Sequence, residues 1–489
     1  MKNKLHIFIL CFFVFASSQI QAQTDNSLSL SSTDGSRITL PTSDFAPPWT
    51  VETWIYKENF SGTTSHLATT STGAVTGIRL EQYNDTEEVG ITDGGVEDYT
   101  FGYVMTNQVW QHMAVVCNGT NTILFINGEQ VGSTINAVID APMGFLGNDD
   151  TDFSTTSNVD EYKVWNKALT STQIKAMMGQ EIQQNGTAVQ GAEDLTNVSG
   201  LNWADLQLYF KFNETSGTSP QDSSSNGNNG TGVNVTASNW ESSDSPYVWK
   251  GGTSSSWATL ANWEDRGRGT VPGSSDNIVI DGAATNDLTI TDARAANNMA
   301  IASGGVINLD PAASLTLTGA AEINGAEALI LNSDATQTAN FIDNGISYKN
   351  SGTIKVERYL PANNSGVYLQ GYHYISSPVN NHAKFNDMTD LYSYDEPTLA
   401  WVHHSNFSNF TNADGYAIRY TTDITKDFIG ETNTGSQAIA VVYNDDLGSS
   451  FDHFNLIGNP YPSSISSDDI VDNNKFISIT SLLELKQYL

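Results

Sequence analysis

The densest secondary-structure signal in the pattern of apolar and polar positions lies between Val104 and Gly132, where the chain reads VMTNQVWQHMAVVCNGTNTILFINGEQVG. Side chains alternate between faces along a strand, so Trp110, His112, Ala114 and Val116 share one face and Met113, Val115 and Cys117 the other. Both faces are mostly apolar, which predicts a strand buried on both sides. Asn118-Gly119 and Asn127-Gly128 interrupt the run, and each pair suits a type I′ turn, whose central residues need positive φ. Three strands in an antiparallel meander are expected, with a second sheet over the apolar face.

Similar alternation marks Ser27–Leu30 and Arg37–Leu40, read as edge strands, and the stretch in which Val51, Thr53 and Ile55 oppose Glu52, Trp54 and Tyr56. Trp54, Trp110 and Trp165 are expected in the core rather than as sugar platforms, because each buries a large apolar area. From Ala168 to Met178 the period changes. Thr170 and Gln173 fit a capping box, Leu169, Ile174, Met177 and Met178 form a stripe, and Gly179 ends the predicted helix. Gln180 to Asn202 is polar and reads as a long irregular connection. Leu206, Leu208, Phe210 and Phe212 then alternate with Gln207, Tyr209 and Lys211, as in a half-exposed strand.

Beyond Tyr247 the β runs are shorter: Leu288–Thr291, Val306–Leu309, Ser314–Leu317, Ala328–Leu331 and Gly352–Val356. Their spacing, with Asn, Gly and Asp between, suggests irregular rungs of a β-solenoid, a β-sandwich being the alternative. The expected class is all-β throughout. The predicted division is a leader at 1–22, a jelly roll at 23–245, a solenoid-like module at 246–360, a further β-rich module at 361–475 and a tail at 476–489.

Several segments carry a family resemblance. W-x-H-x-A at Trp110, His112 and Ala114, followed by a hairpin and LFING, resembles the laminin-G-like (concanavalin A-like) jelly roll. TVETWIY at Thr50–Tyr56 is similar to that family's early core strand, NVDEYKVWNKAL at Asn158–Leu169 to a later strand, and LQLYFKFNETSGTSPQDSSSNGNNG at Leu206–Gly230 to a strand and loop. The last segment usually precedes the core strands in the family and here follows them, which implies a permuted closing strand. Trp249, Trp257, Trp263, Pro272, Asp276 and Ile280 fall in a pattern that resembles a module of large secreted bacterial surface proteins. GYHYISSPV, LYSYDEPTLAW and FNLIGNPYPSSI resemble a β-rich module common in substrates of the bacterial type IX secretion system, which usually ends in a sorting domain that SLLELKQYL does not resemble.

Composition narrows the partners. The formal charge is −33, from 54 acidic and 21 basic residues, so phosphate-rich partners such as nucleic acid are disfavoured. Neutral glycans and divalent cations remain, and surface acid that merely aids solubility is the plainer alternative. Lys2 and Lys4 precede an apolar run from Leu5 to Ala16, with Ile20-Gln21-Ala22 before Gln23, the pattern of a secretory signal. No later stretch reaches the roughly 18 apolar residues of a spanning helix. With Cys11 inside the leader, Cys117 stands alone, expected as an inert buried thiol.

Candidate chemistry is sparse. The E-x-D-x-x-E strand of some concanavalin A-like glycosidases is absent, and Glu81, Asp85, Glu87 and Glu88 lie among turn formers, so no catalytic residues are expected. His403 and His404 are adjacent and would point to opposite faces. His112 matches the family's strand histidine and is expected to be structural. Asp222, Ser224 and Asn226 alternate oxygen side chains before Gly227, which suggests a Ca2+ site or an ordinary Asx-turn loop. In laminin-G-like relatives a cation is commonly held near this loop, which would make Asp160 a fourth ligand. The loops Glu81–Tyr99 and Gly147–Asn158 offer Tyr83, Tyr99 and Phe153 as stacking rings.

The resulting expectation is a non-catalytic, secreted or cell-surface protein that binds an extracellular glycan or protein ligand through its jelly roll, as in adhesion. The alternatives are an accessory region of a polysaccharide-degrading or peptidase enzyme whose catalytic domain lies elsewhere, and a purely structural matrix component.

Overall fold

The computed structural model describes residues 25–465 apart from 32–34, 59–64, 71–75, 83–86, 148–156, 193–195, 267, 363–370, 389, 406–407, 436 and 438–454. The expected leader at 1–22, the tail at 476–489, Tyr83 and Phe153 lie outside the described residues.

The N-terminal half is a two-sheet sandwich. Its strands are β1 (Asn26–Leu30), β2 (Arg37–Thr39), β3 (Trp49–Lys57), β4 (Ser65–Thr69), β5 (Gly77–Glu81), β6 (Glu88–Asp93), β7 (Glu97–Val104), β8 (Trp110–Cys117), β9 (Thr122–Ile126), β10 (Glu129–Ile135), β11 (Phe145–Gly147) and β12 (Ser157–Trp165). Then come helix α1 (Ser171–Met177), β13 (Ile182–Asn185), β14 (Ala188–Gly191), β15 (Asn197–Asn202), β16 (Leu206–Phe210), β17 (Thr231–Val233) and β18 (Trp240–Ser242). One sheet runs β10-β9-β8-β3-β12-β1-β18, with β16 also on β12; the other runs β17-β2-β11-β4-β5-β6-β7.

The meander at Trp110 forms as its pattern predicts, and its two faces enter two cores. Met113, Val115 and Cys117 pack between the sheets, whereas Ala114 and Val116 pack outward against Trp165, Ile174 and Met177. At the β9–β10 hairpin Asn127 and Gly128 take φ of 49° and 77°, the expected I′ pattern. The β8–β9 connection differs. Only Gly119 has positive φ there, and the Asn118 side chain accepts from the N–H groups of Thr120 and Asn121 at 3.0 and 2.9 Å, closing a four-residue loop. An Asx interaction replaces the two-residue turn.

The late segment does close the sandwich. Leu28–Leu30 of β1 pairs with the first half of β12, and β16 pairs with its second half, so the two share one edge of β12. A register shift sets Leu206 opposite Trp165 and Leu208 opposite Val164. Leu206 therefore turns to the outer cluster, while Leu208, Phe210 and Phe212 point inward. β1 and β2, expected as edges, are interior, because β18 and β17 return to flank them. Tyr209 faces out of the sandwich yet is fully buried. The reason lies in Gln180–Asn202, which is a three-stranded meander, β13-β14-β15, rather than an irregular connection. With the capped helix α1 it forms a lid in which Ile182, Val189 and Leu201 cover Tyr209 and Trp165.

The predicted solenoid follows, with about four turns at residues 278–356. One parallel sheet stacks Tyr247–Trp249, Ile278–Ile280, Met299–Ile301, Ala321–Asn324 and Ile346–Lys349; a second stacks Leu288–Ile290, Ile307–Leu309, Leu329–Leu331 and Ile354–Leu360; a third stacks Ala293–Ala296, Ser314–Leu317 and Asn340–Ile342. The early tryptophans close its first end: Trp249 and Trp257 each set ring centroids 5.0 Å from Trp263 in edge-on contact. At the other end Ile354–Leu360 pairs antiparallel with Ile424–Gly430. The NPYPS segment docks on the last rung, with Phe341 N–H donating to the Pro462 carbonyl at 3.3 Å and Ser464 N–H to Asn340 at 3.0 Å. The solenoid core continues into Leu391, Phe410, Tyr416, Ile418 and Phe428, so the second and third stretches share one hydrophobic interior.

Candidate functional site

A ligand site needs an accessible face, and the sandwich has two outer faces. The face of the β8-β3-β12 sheet is closed twice over. The lid covers one half, and the other half packs on the solenoid, where Trp54, Val109 and Trp110 meet Met178, Val248, Val279 and Ala300. Trp54 Nε1 donates to the Met178 carbonyl at 2.6 Å, and the Arg266 guanidinium lies 5.5 Å from the Trp54 ring centroid. Gln111 Nε2 donates to Glu322 at 2.9 Å, and Lys349 Nζ to the Val104 carbonyl at 3.0 Å.

Between the two covers runs a buried seam of ionisable groups. His112 Nε2 stands 3.6 Å from Glu52, whose other oxygen accepts from Trp165 Nε1 at 2.9 Å. Burial, with Lys163 and Arg266 nearby, holds His112 well below the ordinary imidazole value, so it is neutral. Its ring meets Trp54 edge-on at 5.4 Å. His112 and the three tryptophans Trp54, Trp110 and Trp165 are thus all inside the molecule.

The outer face of the other sheet is differently made. Along β5, Ile78 and Leu80 point to the core, which sends Arg79 and Glu81 outward; along β6, Val89 and Ile91 point in and Thr92 out. Arg79 Nε donates to Thr92 Oγ1 at 2.5 Å, and Thr92 in turn donates to Asp98 Oδ1 at 2.6 Å. Gln82 Nε2 bridges the Ile91 and Tyr99 carbonyls at 3.1 and 2.9 Å. His66 pairs opposite Arg79 in the ladder, and burial, then the Arg79 charge, pushes it down to about 3. Asp98 is exposed. Farther along this face Arg37 lies 5.4 Å from the centroid of the half-exposed Phe145 ring, beside Thr39. Arg79 and Thr92 are themselves buried, so what the face offers solvent is the Asp98 carboxylate and the part-exposed Arg37, Thr39 and Phe145, a set able to hydrogen-bond a hydroxyl-rich ligand.

The expected site residues are placed as follows. Tyr99 sits in β7, half-buried and packed against the sandwich core. Asp222 Oδ1 accepts from Tyr209 N–H at 3.0 Å and Ser224 N–H at 2.9 Å, while Oδ2 accepts from the Ser224 hydroxyl at 2.8 Å and Asn228 N–H at 2.7 Å. Asn226 gives its amide hydrogens to the carbonyls of Leu206 and Gln207 at 3.0 and 3.1 Å. Asp222, Ser224 and Asn226 are therefore together, in a loop tied by these hydrogen bonds. Asp160 is not with them. It is buried on the seam, accepting from Ser243 at 2.8 Å and facing Arg266. Among the described residues no group of three or more His, Cys, Asp or Glu is placed to hold a metal ion. Arg79, Thr92 and Asp98 went unpredicted, although each breaks an apolar alternation on β5 to β7 in the way an outward polar position does.

Residues 31–175 match the model of the concanavalin A-like lectin/glucanases superfamily, and residues 248–485 match a domain of unknown function, DUF8693. The similarity to a concanavalin A-like domain is thus confined to residues 31–175. A search of curated proteins gave no match. Among solved structures, a candidate carbohydrate-binding protein from Bacteroides ovatus is 19% identical over 44% of this chain and 59% of its own, with a TM-score of 0.32. Domain 4 of the extracellular arabinanase AbnA from Geobacillus stearothermophilus, in complex with arabinotriose, is 18% identical over 28% of this chain and 69% of its own, with a TM-score of 0.25. A pentraxin from Limulus polyphemus is 16% identical over 31% of this chain and 81% of its own, also at 0.25. This chain thus spans about three fifths of the Bacteroides ovatus protein.

Proposed function

We propose that this is a non-catalytic extracellular protein whose concanavalin A-like domain binds a glycan on the outer face of the β2-β11-β4-β5-β6-β7 sheet. The observation that carries the reading is the exposed Asp98 carboxylate, held from beneath by the buried Thr92 and Arg79, on the same sheet face as the part-exposed Arg37, Thr39 and Phe145. A sugar hydroxyl both donates and accepts, so the Asp98 carboxylate can take its proton while Arg37 and Thr39, farther along the face, offer donors. Phe145 would supply the apolar contact. The family description at residues 31–175 supports the same reading.

The test is a glycan array followed by calorimetry, with and without chelator, on the intact chain and on Phe145→Ala and Asp98→Ala. Binding weakened about tenfold or more by either substitution is expected, and no glycan bound on either platform would remove the reading. Calcium at the Asp222 loop would show as a chelator-sensitive affinity. Steady turnover of a polysaccharide or peptide, abolished by changing one acid, would replace binding with catalysis. Export is tested by the mass of the protein recovered from the medium, which should begin at Gln23.

The continuous packing of sandwich on solenoid favours a second role as a rigid spacer, carrying the binding face away from an attachment point. Type IX export would be tested by deleting that machinery in a native host.

A further inference from the structure

The chain has ten tryptophans, and nine of them are at most 8% exposed. Trp401 is the exception, half-exposed on a four-stranded sheet built from His373–Ile375, Tyr416–Ile418, Leu391–Asp395 and Ala400–His403. One face of that sheet turns Leu391, Ile375, Tyr416 and Ile418 into the common core. Register then fixes the other face: Tyr374 opposite Ala417, Ala417 opposite Tyr392, Tyr392 opposite His403, and Tyr394 opposite Trp401.

The rings on this outer face are ordered by one another. Tyr374 and Trp401 lie parallel within 12°, with centroids 6.2 Å apart, over the small Ala417. Tyr394 meets Trp401 at 5.5 Å and 64°, an edge contact that sets the indole's orientation. Tyr374 is 39% exposed, and His403 is exposed beside Tyr392. At the rim Arg419 bonds Asp390 at 2.7 Å and lies 5.4 Å from the Tyr372 ring centroid, so its charge is matched within the protein.

We infer that this face is a second binding surface, distinct from the concanavalin A-like domain, and that it takes a neutral polysaccharide chain. Parallel aromatic faces give apolar area at low entropic cost, and a pyranose ring has a C–H face that lies on such a surface while its hydroxyls reach the polar rim. Charge selects among partners. The chain carries 54 acidic against 21 basic residues, and the one arginine at the rim is already paired, so an anionic polymer is repelled and an uncharged one is not. The alternation that builds the face is written in LYSYD and AWVH, where every second residue is aromatic or histidine.

Trp401 also provides the readout. Being the one tryptophan that is not buried, it dominates quenching by acrylamide, and a ligand on the face must protect it. The experiment titrates the full chain with barley β-glucan, arabinoxylan, glucomannan and amylopectin, measuring quenching and retardation in native affinity gels. The variants are Tyr374→Ala, Trp401→Ala, the conservative Trp401→Phe and, as the arm for the sandwich site, Phe145→Ala. At least one polymer should protect Trp401 in wild type, with retardation reduced tenfold or more in Tyr374→Ala and Trp401→Ala, largely retained in Trp401→Phe, and unchanged in Phe145→Ala. Protection by none of the four, or retardation indifferent to Tyr374 and Trp401, overturns the inference. Retardation lost only in Phe145→Ala would leave the sandwich site standing and this one refuted.

Discussion

The Arg266 guanidinium stands 3.7 Å from the Asp160 carboxylate, both side chains buried, where the sandwich meets the solenoid. Burial raises Asp160 well above the usual carboxylate range, with Asp25 adding to the rise and Arg266 opposing it. Burial also opposes the charge on Arg266, but Asp160, Asp25 and Glu161 outweigh it and hold the arginine above its ordinary value. One cation thus serves several acids. Arg266 stays charged, and it is Asp160 and Asp25, both raised by burial, that take up a proton more readily than an ordinary carboxylate.

Arg266→Met should cost about 3–5 kcal/mol in urea unfolding at pH 7, because it leaves buried carboxylate without its cation. The double variant Asp160→Asn with Arg266→Met should recover much of the loss. Equal stability for the single and double variants would show that the pair does not couple the modules.

His66 gives a pH prediction with a defined sign. Its folded value of about 3 lies below the ordinary 6.5, so the unfolded chain binds a proton that the folded one does not. The stability contributed by neutral His66 is full above about pH 6.5 and is lost as pH falls towards 3. His66→Asn should flatten the fall between pH 6.5 and 4 relative to wild type, with proton uptake on unfolding at pH 5 smaller by about one. Identical pH profiles in the two proteins would contradict it.

Gly132 in β10 has φ of +63°, and a Cβ there would lie 2.2 Å from the Phe101 carbonyl oxygen. Gly132→Ala should therefore lose about 2–4 kcal/mol by thermal or urea melts. Gly119→Ala, at φ of +92° but with nothing within 4 Å, should lose only about 1–2 kcal/mol. A reversed order would mean that the close approach of β10 to β7 relaxes without cost.

Cys117 is fully buried in the sandwich core. Its alkylation, followed on its own tryptic peptide, should be negligible in native buffer and track global unfolding in urea. Rapid native labelling would place the strand outside the core.

Much of this was readable from local pattern. The alternation from Trp110 to Cys117, the Thr170–Gln173 box and the closing strand at Leu206 each rest on residues close in sequence, and each formed. Solenoid rungs were legible from spacing alone. What escaped depends on distant partners. Tyr209 is buried because a meander built from Ile182 to Asn202 folds over it, and the Asn185-Gly186 pair that begins the meander's first turn lies in a polar stretch without an apolar run to flag it. The family resemblance sets Asp160 beside the Asp222 loop, whereas its partner is an arginine in the next module. The polar strip from Arg79 to Asp98 needs three strands to be brought side by side before it exists.

Because Trp54 and Trp110 are buried in one cluster with Val248, Val279 and Ala300, the sandwich is not a separable unit. Excising residues 25–245 for crystallisation or display would leave two indoles and an unbalanced carboxylate facing water. Useful fragments should therefore extend through at least the third rung of the first solenoid sheet, and a shorter one that precipitates would say nothing about ligand recognition.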